Sequence, residues 1–175
     1  VGPGNPMSPP ITVESTAEGV VTRVTLDRRF EGPPGLVHGG VTGLLLDEVL
    51  GRAGTAIGRW GMTAYLNITY RRALPVDVKL ELSARVDRIE GRKTFTSGTI
   101  ALASDPQVPL VEAEALFVEP RAETQAGYFR DLTDASGNPA SARVGVCASR
   151  GADSPAHADR LACETRPPGS GGKDA

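Results

Sequence analysis

Two features of this sequence have the residue types and spacing for acid–base or acyl chemistry: the run His38-Gly39-Gly40 and, nine residues after the histidine, Asp47. Imidazole and carboxylate side chains move protons, and a carboxylate near apolar surroundings becomes a better base. Other chemistries lack their parts. His38 is the only histidine before His157, and no cysteine precedes Cys147. The first 120 residues therefore supply neither a Cys–His pair nor the His/Cys cluster of a typical zinc site. No Gly-x-Ser-x-Gly elbow, phosphate loop or dinucleotide glycine fingerprint is present. Chemistry here must rest on carboxylates, hydroxyls, His38 and backbone donors, with no metal and no cofactor expected.

Both features lie in one stretch, Leu36 to Arg59, which follows the turn Gly32-Pro33-Pro34-Gly35 and contains no proline. Leu45, Leu46, Val49, Leu50, Ala53, Ala56 and Ile57 recur at helical spacing and form one apolar arc. The spacing predicts a helix that starts at His38-Gly39-Gly40 and exits near Gly58. Glu48 and Arg52 fall on a polar edge, four apart with the acid first, the favourable order for a pair. The remaining stripe is Gly40, Gly43, Asp47, Gly51, Gly54 and Gly58. A glycine inside a helix costs about 0.5–1 kcal/mol relative to alanine, so five of them need a reason. Two remain open: packing of a sheet or helix into a glycine groove, with Asp47 incidentally exposed, or close approach of a ligand. His38 likewise reads as a structural cap or as a functional group. Glu48 is the rival acid, but its place beside Arg52 favours Asp47.

The flanking elements are β-type. Ile11 to Glu14 and Val20 to Leu26 read as strands before the helix. Thr63 to Tyr70, Val78 to Arg88, Lys93 to Ala103 and Leu110 to Glu119 follow it, with turns at Glu90-Gly91 and Asp105-Pro106. In the first of these, simple alternation puts Ala64, Leu66, Ile68 and Tyr70 on one face, and Thr63, Tyr65, Asn67 and Thr69 on the other. One long apolar helix with alternating strands implies an α+β fold, a sheet of five to six antiparallel strands curled around a central helix. A sheet covers only part of a helix, so the glycine stripe and bare sheet edges are expected contacts between copies.

The chain has 175 residues and a net charge of −2, which gives no electrostatic case for a nucleic-acid partner. No twenty-residue charge-free apolar run or signal-peptide pattern is seen, so no membrane partner is expected. Residues 1–120 form the expected domain. Residues 121–175 are rich in Ala, Gly, Ser, Pro and charge, and are expected to be a disordered tail that includes His157. Cys147 and Cys163 are the only cysteines, which suits a reducing, cytoplasmic setting. The first residue is Val, so the true start is left open.

The run Gly35-Leu36-Val37-His38-Gly39-Gly40, with Asp47 after it, resembles the hotdog-fold acyl-CoA thioesterases. The branch is the one that holds phenylacetate-pathway enzymes and mammalian thioesterase superfamily members. The run Thr63-Ala64-Tyr65-Leu66-Asn67-Ile68-Thr69-Tyr70-Arg71-Arg72 resembles the strand after the helix in that branch. The likeness covers about residues 5–119.

The resemblance implies a hydrolase for an acyl-CoA substrate. Asp47 would act as general base on water or as nucleophile, and the N–H of Gly39 or Gly40 would polarise the thioester oxygen. His38 would orient the thioester or the loop, and Thr63 would help position the water. The site would lie between two subunits of a homodimer or of a dimer-of-dimers tetramer. A helix N-terminus suits such an oxyanion, since it gathers unpaired N–H groups and positive dipole. Arg71 and Arg72 are candidates for the CoA phosphates, or a solvated strand edge. Asn67 is a further substrate-binding candidate, or a structural hydrogen bonder. Trp60 and Tyr65 line an acyl pocket or simply pack. The rival function is a hotdog protein that binds acyl-CoA without turnover. A hydratase is disfavoured, because its motif wants a histidine where Arg52 stands, five residues after Asp47.

Overall fold

The helix begins where His38 caps it. His38 sits in extended backbone and its side chain accepts from Gly40 N, which satisfies one of the amides a helix start leaves unpaired. The computed structural model describes residues 5–7, 9, 11–121 and 123–124. In chain order these form β1 (Glu14–Ser15), β2 (Val20–Thr25), a 3-10 turn at Arg28–Phe30, α1 (Gly39–Ala56), β3 (Met62–Tyr70), β4 (Lys79–Glu90), β5 (Lys93–Leu102) and β6 (Asp105–Val118). The helix ends in a Schellman turn. Arg59 N–H donates to Gly54 O and Gly58 N–H to Thr55 O, both at 2.9 Å. Gly58 takes the left-handed φ of 77° that this turn requires.

The strands make one antiparallel six-stranded sheet in the order β1-β2-β4-β5-β6-β3. β3 follows the helix directly in sequence yet lies at the far edge, so among the described residues one long side of it has no strand neighbour. The sheet's inner face and the helix share the core. Leu45, Leu46, Val49 and Leu50 are buried against Val24, Leu80, Leu82, Ile100 and Val111. Each such side chain contributes about 1.5–3 kcal/mol by leaving water. A Cβ at Gly98 would stand 3.1 Å from Leu50 Cδ2, so the missing side chain leaves room for Leu50 of the helix against β5.

Four expectations need correction. Ala56 and Ile57 do not join the core: Ile57 is 56% exposed, because the Schellman turn carries the chain off the sheet. The short first strand is Glu14–Ser15 rather than Ile11 to Glu14. The last turn is at Ala103 and Ser104, not Asp105-Pro106, and β6 starts at Asp105. Its prolines are tolerated because β3 pairs with β6 only from Val111 onward, leaving that first part an edge. Strand alternation also breaks at β3, between Thr63 and Tyr65. The expected tail lies outside the described residues apart from positions 121, 123 and 124.

Candidate active site

Helix positions 39, 43 and 47 are four apart and share one stripe. β3 runs beside that stripe. Tyr70 Oη donates to Gly39 O at 2.9 Å, Ile68 Cδ1 lies 3.5 Å from where a Gly43 Cβ would be, and Thr63 Oγ1 donates to Asp47 Oδ1 at 2.8 Å. One turn further, a Cβ at Gly51 would meet the Phe117 ring at 3.3 Å. Gly43 and Gly51 are therefore occupied by the chain's own sheet, the packing reading of the stripe. Asp47 is the exception, a partly buried acid with a hydroxyl on it.

Thr63 reaches Asp47 because of a bulge. The register of β3 on β6 shifts between Thr63 and Tyr65, which leaves Ala64 as the extra residue. Thr63 then pairs with Phe117, on the same inward face as Leu66 and Ile68 opposite Ala115 and Ala113. Simple alternation puts Thr63 with Asn67 instead, and the bulge reverses that.

At the helix start, His38 Nδ1 accepts the Gly40 N–H at 2.9 Å. The acceptor nitrogen carries no proton, so in the neutral ring the proton is on Nε2. His38 O accepts from Val41 N and Thr42 N at 3.0 and 3.1 Å. Of the two glycine amides, Gly40's is thus taken inside the chain, and Gly39's is a first-turn amide without an intrahelical partner. Tyr70 is absent from the sequence-based candidates, although its hydroxyl touches this segment. Burial raises its phenol above the usual 10.0, so it keeps its proton through the neutral range.

The two halves of this chemistry are separated within one chain. Gly39 and Asp47 are eight residues apart on one helix, or about 12 Å at 1.5 Å per residue. One carbonyl cannot touch both. Glu48, the rival acid, is paired with Arg52 at 2.8 Å as its spacing predicts.

The substrate-binding candidates stand elsewhere. Asn67 and Arg71 line an open groove of about 1060 Å³ on the outer face of the sheet, with Ser83, Thr99, Glu112 and Glu114; neither Asp47 nor Thr63 lines it. Arg71 is paired with Glu112 at 2.8 Å. Arg72 is exposed just beyond β3. The structure brings together Asp47 with Thr63, and His38 with Gly39 and Gly40, but not these three with either group. Among the described residues no group of His, Cys, Asp and Glu could hold a metal ion.

Comparisons with known proteins agree with this architecture. A family model described as the thioesterase superfamily matches residues 34–108. Acyl-coenzyme A thioesterase THEM4 of Xenopus laevis is 36% identical over 90 residues, 51% of this chain and 40% of that protein. Acyl-coenzyme A thioesterase THEM5 of Homo sapiens is 30% identical over 97 residues, 55% of this chain and 39% of that protein. The chain thus spans about two fifths of the length of these curated relatives. A solved thioesterase superfamily protein, RHA08564, is 42% identical with a TM-score of 0.61, covering 64% of this chain and 55% of that one. A hypothetical thioesterase of Streptococcus pneumoniae, solved with coenzyme A, is 20% identical with a TM-score of 0.57, over 64% of this chain and 90% of that one, a likeness of fold. Residues 34–108 thus match the thioesterase superfamily, and the six-stranded sheet and single helix they help to build are the hotdog fold that the solved thioesterases share.

Proposed function

We propose that this chain is an acyl-CoA thioesterase whose site is completed by a second copy. The single observation that carries this reading is the carboxylate of Asp47 held by Thr63 on an otherwise glycine-filled helix stripe. In the reading, Asp47 takes a proton from water as general base, or attacks as nucleophile, at the thioester carbonyl. The C–S bond breaks, the acyl group leaves as carboxylate, and the CoA thiolate regains a proton. The Gly39 N–H polarises the carbonyl oxygen, since Gly40's amide is engaged by His38. One such donor is typically worth about 3–4 kcal/mol in the barrier. His38 orients the thioester through its Nε2–H.

The second copy follows from the separation of about 12 Å along the helix. A partner chain running the opposite way brings its own Gly39 to Asp47. The edge strand that would meet it carries Met62, Tyr65 and Tyr70 at 49%, 44% and 51% exposure, much apolar surface for a bare sheet edge. The names of the relatives and the coenzyme A bound to the pneumococcal neighbour support the substrate class. Arg71 and Arg72 remain candidates for the CoA phosphates only if the partner's site extends to the end of β3.

The test is thiol release from short, long and aromatic acyl-CoAs. Release from at least one supports hydrolysis. Binding without release from any of them supports a non-catalytic acyl-CoA-binding protein instead.

A further inference from the structure

We propose that Tyr70 is a positioning residue for this hydrolysis: with His38 Nδ1 it clamps the Gly39–Gly40 peptide, so that the Gly39 N–H is the amide left facing the thioester. The proposal rests on the hydrolytic reading above and deepens it. The Gly39 carbonyl and the Gly40 amide belong to one planar peptide unit. The carbonyl accepts from Tyr70 Oη at 2.9 Å and the amide donates to His38 Nδ1 at 2.9 Å. A plane held at both its polar groups cannot rotate about the chain. The unit lies between two glycines in the first turn, where no intrahelical bond reaches its N–H. The preceding peptide is fixed through its carbonyl, which accepts from Val41 and Thr42. Its N–H, that of Gly39, is then set in direction and unspent.

The arrangement also explains why one strand serves both ends of the site. β3 holds Asp47 through Thr63 at its start and, through Tyr70 at its end, the peptide that follows the donor N–H. A shift of this edge strand moves the acid of one copy and the donor of the same copy together, and these serve opposite sites in a pair. The phenol keeps its proton through neutral pH, so Tyr70 remains a donor under the conditions of the reaction.

Tyr70→Phe removes the hydroxyl and keeps the ring. Two measurements on the full chain decide the proposal: steady-state kinetics with an acyl-CoA the wild type hydrolyses, and amide hydrogen exchange at Gly40 by NMR. The expected result is a kcat lowered about tenfold or more, an unchanged KM and unfolding midpoint, and faster exchange at Gly40. An unchanged kcat, a loss confined to KM, or unchanged exchange at Gly40 overturns it. Asp47→Asn separates the two ideas, since it is expected to stop release while leaving Gly40 exchange as in the wild type. If the wild type releases no thiol, the hydrolytic reading fails, and Gly40 exchange alone then upholds or overturns the clamp.

Discussion

Thr63 Oγ1 stands 2.8 Å from Asp47 Oδ1, across sixteen residues of sequence, and joins the middle of the helix to the start of the edge strand. The contact exists because a bulge at Ala64 turns Thr63 inward. It leaves Oδ2 of Asp47 without the threonine and fixes the plane of the carboxylate. Thr63→Val keeps the shape and removes the donor. Its kcat is expected to fall about tenfold, equivalent to roughly 1.4 kcal/mol, and Thr63→Ser to recover most of the rate. Equal rates for Thr63→Val and the wild type would remove Thr63 from the site.

The glycines sort into two kinds by what a methyl group would meet. At Gly43 the nearest atom is the end of the Ile68 side chain at 3.5 Å, ordinary contact. Gly43→Ala should leave stability unchanged or raise it by up to about 1 kcal/mol, through helix propensity. At Gly98 a Cβ would lie 2.5 Å from the backbone oxygen of Ser83. Gly98→Ala should lower the thermal midpoint clearly. The comparison of the two melting curves checks the packing described at each glycine, open at Gly43 and closed by β4 at Gly98.

Much of this was legible in the sequence, and the exceptions have physical causes. The helix, its polar Glu48–Arg52 edge and its apolar arc follow from a period of 3.6, and the structure keeps the arc as far as Ala53. The strands follow from a period of two. That period is also why the face of Thr63 was not legible: a one-residue bulge inverts the alternation without leaving a mark in residue type. Asn67, grouped with Thr63 by alternation, lies on the outer face in consequence. In the sequence Tyr70 is indistinguishable from any other strand residue on its face, because only the fold shows that β3 climbs the helix in steps of four. The two readings of His38 prove compatible, since it caps the helix through Nδ1 and keeps Nε2 for other use.

A shared site requires a second copy in solution. Light scattering at micromolar concentration should give a dimer or a multiple of it. Met62→Asp combined with Tyr65→Asp puts charge on the exposed edge strand and should yield a monomer without thiol release. A wild-type monomer that hydrolyses acyl-CoA would contradict the two-copy site.

In the proposed reading, hydrolysis depends on the Asp47 carboxylate. Asp47→Asn preserves size and the hydrogen bond from Thr63 but removes the base and the nucleophile. The most direct measurement is the rate of thiol release by this variant against the wild type, with circular dichroism to confirm the fold. The expected result is a loss of at least about a hundredfold in kcat with an intact spectrum; full activity in Asp47→Asn rules Asp47 out as base and as nucleophile.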